Sequence, residues 1–254
     1  MKGSWNSQHY KKYSNSQTER ALKHLNNILF NKTDTVLDIG CGVGEITEII
    51  ASKVSQGNVL GIDISKNMIN YAQNHYANIS NLNFKTADVL DFTAPNSFDC
   101  ITSFNALHWV TDHDKMLKNV KISLKPDGQI LFLMAHGKKE PPIDDIVFKD
   151  TWKPYLTRLH TFRKKMSELN YDKLLHDNGF KKIKLEFFDE KHLFSNIQDL
   201  ENQIMTWLPY VANLEKIQCV QLAKELSESF ASYSTIDNMI VYSVPMMLIH
   251  ATVN

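Results

Sequence analysis

Three cysteines, Cys41, Cys100 and Cys219, are too few and too scattered in 254 residues for a disulfide framework or a zinc site. Cys41 and Cys100 fall in expected turn and strand positions, where a free thiol packs as a small apolar group. Charge of either sign is not in excess. Lys and Arg number 28, Asp and Glu 28, for a formal net charge of +0, so no global field draws the chain to nucleic acid. The basic clusters Lys138-Lys139, Arg163-Lys164-Lys165 and Lys181-Lys182 are short and read as solvated faces. Long apolar runs are missing as well. The longest, Met239 to Ala251, is broken by Ser243 and Pro245 and is too short for a bilayer. No apolar run follows Met1-Lys2-Gly3-Ser4-Trp5, so no signal peptide is expected and the reducing cytoplasm is the expected setting. There is no internal repeat. What remains is 43% hydrophobic and 22% charged, ample for a globular core.

Chemistry concentrates in Val36-Leu37-Asp38-Ile39-Gly40-Cys41-Gly42-Val43-Gly44-Glu45. Val36, Leu37 and Ile39 predict a buried parallel strand. Gly40, Gly42 and Gly44 let the chain turn sharply and bring its backbone against a ligand, where a Cβ would collide. The spacing departs from the dinucleotide fingerprint G-x-G-x-x-G. The third glycine of that pattern is replaced by Glu45, and an acidic side chain is awkward beside a diphosphate on a helix N-terminus. Asp38, at the strand's end, is a carboxylate placed to meet an amine. Asn58 to Asp63 reads as a second strand ending in a carboxylate. Asp63 lies 23 residues after Gly40, close to the interval expected of a ribose-binding acid. Ser65 reads as an N-cap, followed by Met68, Ile69 and Ala72 on one apolar face. Leu82 to Lys85 is a third strand, followed by Ala87-Asp88-Val89. A tight strand-to-helix turn without a ligand is the alternative for the glycines, and a loop carboxylate for each aspartate. All three carboxylates, however, fall at successive strand ends, where open α/β sheets bind ligands.

The glycine segment resembles motif I of class I S-adenosylmethionine-dependent methyltransferases, D-x-G-x-G-x-G. The resemblance implies that the turn faces an amino acid and a ribose, that Asp88 takes the adenine amino group, and that Val89 packs on the ring. By the same resemblance Tyr10, Ser14, Arg20, Ile64, Met68 and Asn105 belong to the cofactor site. The product of such an enzyme is S-adenosylhomocysteine. No N/D-P-P-Y/F segment follows the fourth strand (Ser97 to Phe104), which disfavours methylation of adenine or glutamine nitrogen. Asn105-Ala106-Leu107-His108-Trp109-Val110 stands there instead and can wall a small-molecule pocket.

Met116, Leu117, Val120 and Leu124 mark the next helix, Lys125-Pro126-Asp127-Gly128 a turn, and Gln129 to Met134 a fifth strand. Lys138 to Pro142 reads as a linker. Helices carrying Trp152, Tyr155 and Phe162 are expected from Ile143 to about Met166. Tyr171 to His176 is a short helix stopped by Asn178-Gly179. Ile183 to Phe188 alternates like a strand, residues 197–231 look helical with an interruption at Pro209, and Met239 to Val253 ends the chain as a strand. The architecture expected is one α/β domain: a Rossmann-like, seven-stranded, mostly parallel sheet with helices on both faces and an α-helical lid inserted toward the C-terminus. Its expected parts are an N-terminal helical segment over the cofactor (1–30), a cofactor-binding core (31–137), lid insertions (138–180 and 195–235), and the last two strands (181–194 and 236–254).

Trp5-Asn6, Tyr10, Ser14 and Arg20, the segment Leu107 to His113, and the last strand with Pro245 are similar to trans-aconitate methyltransferases. Tyr10 with Gln17, and His108-Trp109, are similar to juvenile hormone acid methyltransferases. A third similar group methylates malonyl on acyl carrier protein. The first two methylate carboxylates of small molecules. One departure is Met246, where the trans-aconitate group has a basic residue, which counts against a polycarboxylate substrate. A carboxylate is ionised already and needs orientation and shielding rather than a base. Gln17, His108 and Trp109 are the candidate catalytic residues, Gln17 as an amide donor and Trp109 or His108 as a second. Core packing for Trp109, a structural role for His108 and solvent exposure for Gln17 are the alternatives. Arg158, His160, Arg163 and Lys164 form a candidate anion cluster in the lid, with surface charge as the other reading. Carboxylate O-methylation of a small acid is therefore expected. The alternatives are malonyl-carrier protein docked on Arg163-Lys164-Lys165, a hydroxyl or amine acceptor using His108 as base, and a non-catalytic S-adenosylmethionine-binding protein. Neither a metal, nor nucleic acid, nor a membrane is expected as a partner.

Overall fold

The computed structural model describes residues 15–137, 141–233 and 235–253; within these, the side chains of 15–17, 141, 142, 163, 167 and 168 lie outside the description. In chain order the elements are α1 (Asn15–Leu25), β1 (Thr35–Ile39), α2 (Glu45–Lys53), β2 (Asn58–Asp63), α3 (Lys66–His75), β3 (Leu82–Thr86), β4 (Phe98–Phe104), α4 (His113–Ser123) and β5 (Leu124–Ala135). Then come α5 (Pro141–Val147), α6 (Thr157–Glu168), α7 (Tyr171–Asp177), β6 (Phe180–Phe194), α8 (Ile197–Ile204), α9 (Leu208–Val211), α10 (Lys216–Tyr233), β7 (Thr235–Ile236) and β8 (Met239–Val253). The strands form one sheet in the order β3-β2-β1-β4-β5-β8-β6, with β7 antiparallel beside β8. β3, β2, β1, β4 and β5 are parallel neighbours. Their apolar runs are buried on both faces: Val36, Ile101, Ile130 and Leu131 are each 0% exposed.

The Rossmann-like, mostly parallel sheet is as expected, with the two-residue β7 added. Asn58–Asp63 and Met239–Val253 have their expected bounds. Ser65 caps α3 by accepting from the Met68 amide at 3.4 Å. Gly179, at φ +73°, follows α7 as the stop signal requires. Three details differ. The turn at Lys125 to Gly128 lies inside β5 as an irregularity: register passes from Phe98↔Leu124 to Cys100↔Gln129, and Asp127 takes φ +62°. β6 extends well past Ile183 to Phe188. Pro209 does not break a helix but sits in the first turn of α9, where its missing amide costs nothing.

Two compact units divide the chain. One comprises Gln17–Ala135, Leu169–Phe187 and Met247–Asn254, and holds the parallel strands. α7 belongs to it because Tyr171, 2% exposed, hydrogen-bonds His113 Nδ1 and approaches Met134 Sδ at 3.6 Å. The other comprises Met1–Ser16, His136–Glu168 and Phe188–Met246. Its core is α10, packed on α5 and α8, with Leu222, Leu226, Leu200, Ile204 and Val147 fully buried. Met246, 1% exposed, is buried there by its strand, which explains the apolar residue at that position. Among the described residues no helix is long and apolar enough to cross a membrane. No group of three or more His, Cys, Asp or Glu among them is arranged to hold a metal ion.

Candidate cofactor and acceptor site

The site is built at the carboxyl end of β1, where the strand order reverses between β2 and β4 and the loops diverge. Gly40, Gly42 and Gly44 all take positive φ, at +70°, +55° and +90°. The amides of Gly40 and Cys41 donate to the Ile62 carbonyl at 2.7 and 3.0 Å, tying the turn to the end of β2. A Cβ on Gly40 would stand 2.1 Å from the Ala106 Cβ, so the turn and the loop after β4 touch backbone to side chain. That closeness is what sequence spacing alone leaves open.

The three strand-end carboxylates have different surroundings. Asp38 is 2% exposed, and its oxygens accept from Thr47 Oγ1 at 2.7 Å and Thr102 Oγ1 at 2.9 Å. Burial raises its pKa from 3.8 to about 6 against the lowering effect of the two hydroxyls. Asp38 therefore locks α2 and β4 to β1 under the turn. Asp63 is half-buried. Its carboxylate accepts from the Gly42 amide at 3.1 Å and the Ser65 amide at 2.8 Å. Burial raises its pKa while those two amides oppose the rise. Two backbone donors thus fix the rotamer of Asp63 at the mouth of the turn. Asp88, half-buried, accepts from the Leu90 amide at 2.9 Å. The Ala87 amide donates to the Asp63 carbonyl at 3.0 Å, coupling the two loops. Asn119 on α4 clamps the loop from the other side by donating to the carbonyls of Val89 and Leu90, both at 2.9 Å.

α1 reaches the site with two side chains. Arg20, 5% exposed, donates to Asn105 Oδ1 at 3.0 Å, and Thr18 Oγ1 donates to Glu45 Oε2 at 3.1 Å. Glu45, the residue that breaks the dinucleotide pattern, thus anchors α1 to the first turn of α2. Asn105 holds φ +59°, a conformation asparagine tolerates, and its amide donates to the Leu133 carbonyl at 2.8 Å. Next to it, His108 is 8% exposed and receives the Ala135 amide on Nδ1 at 3.4 Å. Burial, then His113 and Arg20, lower its pKa from 6.5 to about 3. Its ring lies 4.6 Å from that of Trp109, which stays half-buried.

Asp63, Asp88, Arg20, Asn105, His108, Trp109 and the glycines thus gather around one end of the sheet. Ile64, beside Asp63, is 67% exposed and presents apolar surface there. Val89 is 8% exposed. Met68 is 3% exposed, on the i, i+4 face of α3 that it shares with the buried Ala72. Tyr10 and Ser14 lie outside the described residues, as does the side chain of Gln17. Of the lid cluster, Arg158 donates to the Tyr210 carbonyl at 3.0 Å, His160 stacks on Phe148 at 4.6 Å, and Lys164 is exposed. The side chain of Arg163 is outside the description. Sequence reasoning missed Thr47, Thr102, Thr18 and Asn119. A hydroxyl in the otherwise apolar strand β4 was the available signal for Thr102, which the register sets directly opposite Asp38.

A family model described as a methyltransferase domain matches residues 30–179. The juvenile hormone acid O-methyltransferase of Bombyx mori is 30% identical over 203 residues, covering 74% of this chain and 68% of that protein. The trans-aconitate 2-methyltransferase of Rhodopseudomonas palustris (strain BisB5) is 27% identical over 157 residues, 61% of this chain and 60% of the relative. Among solved structures, phosphoethanolamine N-methyltransferase 2 of Haemonchus contortus, in complex with S-adenosyl-L-methionine, superposes with a TM-score of 0.64 at 19% identity. The superposition covers 98% of this chain and 56% of that one, and it speaks for the fold. With the family model spanning more than half of its length, the chain belongs to the methyltransferase-domain family and is an S-adenosylmethionine-dependent methyltransferase.

Proposed function

We propose that the protein O-methylates the carboxylate of a small organic acid. The residues present fit the methyl donor. Three glycines at positive φ leave a turn without Cβ atoms, Asp63 is held by two amides where a ribose diol would meet it, and Asp88 stands at the end of the next strand. S-adenosylmethionine supplies a methyl group on a sulfonium, whose transfer to an anion cancels charge. Arg20, through Asn105, positions the loop after β4, and Trp109 offers a half-exposed indole beside it.

The observation that carries the reading is the state of His108. A hydroxyl or ammonium acceptor must lose a proton, and efficient proton removal calls for a base with a pKa near the working pH. His108, buried, with a pKa of about 3 and Nδ1 occupied, is a poor one. A carboxylate, with an ordinary pKa near 4, arrives ionised and asks only for orientation at about 3–3.5 Å and shielding from water. The names of the two relatives, each of which specifies an acid, support the same class.

The test is release of S-adenosylhomocysteine across mono-, di- and tricarboxylic acids, with malonyl-carrier protein and matched alcohols and amines as controls. A base-labile methyl ester from one free acid is expected. Turnover of alcohols or amines alone, with a rate rising through a pKa near 7, would overturn the carboxylate reading. Gln17→Ala is expected to lower turnover of the acid while sparing cofactor affinity. Asp63→Ala is expected to weaken cofactor binding by about 1–3 kcal/mol, the loss of a hydrogen bond to a charged partner. Titration calorimetry reads this directly, and unchanged affinity would remove Asp63 from the ribose site.

A further inference from the structure

The chain reverses direction after β3, where the Asp91 and Phe92 amides donate to the Asp88 carbonyl at 3.0 and 2.9 Å. Two peptide groups of this turn lie between Asp88 and Asn119 of α4. In the first, the Val89 carbonyl accepts from Asn119 Nδ2 at 2.9 Å, and the Leu90 amide donates to Asp88 Oδ1 at 2.9 Å. In the second, the Leu90 carbonyl accepts from Asn119 Nδ2 at 2.9 Å, and the Asp91 amide donates to the Asp88 carbonyl. A trans peptide is planar, so its N–H and C=O point opposite ways. A donor that holds the carbonyl therefore also aims the amide. With the two hydrogens of one side-chain amide, Asn119 turns both N–H groups onto Asp88, one at its carboxylate and one at its main chain.

The support behind Asn119 is rigid. On the same helix Met116 and Leu117 are 0% exposed and Val120 1%, and Asp112 caps the first turn by accepting from the Lys115 amide at 2.9 Å. Among the described residues, the Leu90 amide is the one donor to the Asp88 side chain. Without it the carboxylate can swivel about its side-chain torsions; with it, one oxygen is tied and the other has a defined direction. We infer that Asn119 is a positioning residue for the cofactor's base, resting on the reading of Asp88 as the partner of the adenine amine. By aiming the Leu90 amide at Oδ1, it fixes the carboxylate so that Oδ2 accepts from that amine. A base with a carbonyl in place of the amine would meet this fixed oxygen lone pair to lone pair. Asn119 thereby sets base specificity without touching the ligand.

Titration calorimetry with S-adenosylhomocysteine and S-inosylhomocysteine, whose base carries an oxygen in place of the amine, reads this specificity. The wild type should bind the adenosyl compound about tenfold more tightly or better. Asn119→Ala should cut that preference to about threefold or less, chiefly through weaker binding of the adenosyl compound. Asn81→Ala is the control for a purely structural clamp. Asn81 Nδ2 donates to the Ala51 and Val54 carbonyls at 3.0 and 3.1 Å, the same pair of bonds at the opposite end of β3 from Asp88. Its loss should lower stability in urea comparably and leave the base preference as in the wild type. Asp88→Asn, which offers an amide to the base, should erase or reverse the preference. If Asp88→Asn keeps it, or the wild type has none, Asp88 is not the partner of the base and Asn119 loses its role with it. If Asp88→Asn abolishes the preference and Asn119→Ala retains it, Asp88 is positioned without Asn119. Equal losses of preference in Asn119→Ala and Asn81→Ala would reduce Asn119 to a stabilising clamp.

Discussion

Gly40→Ala is expected to weaken cofactor binding by about a hundredfold or more, whereas Gly57→Ala is expected to destabilise the protein and leave the affinity of its folded molecules intact. Both positions are closed to a side chain, for different reasons. At Gly40 the backbone is left-handed, at φ +70°, and the added methyl would stand 2.1 Å from the Ala106 Cβ. Left-handed strain of about 1–2 kcal/mol is joined by overpacking of about 1–3 kcal/mol. The relief open to the chain is to push the turn away from the loop that carries Asn105, the partner of Arg20. Moving the turn also moves the Gly42 amide that holds Asp63. At about 1.4 kcal/mol per tenfold, a loss of affinity of about a hundredfold or more follows if most of this strain is released in the site. At Gly57 the obstacle is the Asp34 carbonyl, 1.9 Å from the added carbon, at the end of β2 remote from Asp63. Calorimetric titration with S-adenosylmethionine, corrected for the folded fraction by urea denaturation, separates the two. Wild-type affinity in Gly40→Ala would mean that the turn does not touch the cofactor.

Asp38→Asn is expected to gain stability relative to the wild type at neutral pH and to lose that advantage in acid. Burial raises the Asp38 pKa from 3.8 to about 6, so the native state holds this proton more tightly than the unfolded chain does. Ionising it in the native state costs about 3 kcal/mol at pH 7, a penalty that shrinks as pH falls from about 6 to about 4 and is then gone. His108 has the opposite sign. Its pKa is depressed to about 3, so below about pH 6.5 the unfolded state takes up a proton that the native state refuses, and stability falls with pH. Between pH 6 and 4 the two slopes, each up to about 1.4 kcal/mol per pH unit, cancel in the wild type. Asparagine removes one of them. Its single carbonyl oxygen serves one of Thr47 and Thr102 while its amide donates to the other hydroxyl, a change that offsets the curve by a constant and leaves its shape. The difference in unfolding free energy between Asp38→Asn and wild type should therefore shrink by about 2.5 kcal/mol from pH 7 to pH 4. Urea titrations at half-unit steps read it, and parallel curves would show that Asp38 ionises normally. His108→Gln should give the opposite trend.

The local elements and the class of ligand were legible in the order of residues. Glycines at 40, 42 and 44 between an apolar strand and a helix specify a turn that only backbone without Cβ can make. Asp63 and Asp88 occur where β2 and β3 end, because strand length and periodicity are local properties. Tertiary structure decided what each group then does. Asp38 and Asp63 look alike in sequence, yet one is sealed under the turn by two threonines and the other is held at its mouth by two amides. Glu45 reads only as a broken fingerprint until Thr18 of α1 reaches it across 27 positions. His108 reads as a base until burial shifts its pKa beyond use. Spacing along the chain reports backbone conformation, which is set by near neighbours. Burial, pKa and the partner of a side chain are set by residues far away in sequence, and these only the packing of one element on another brings together.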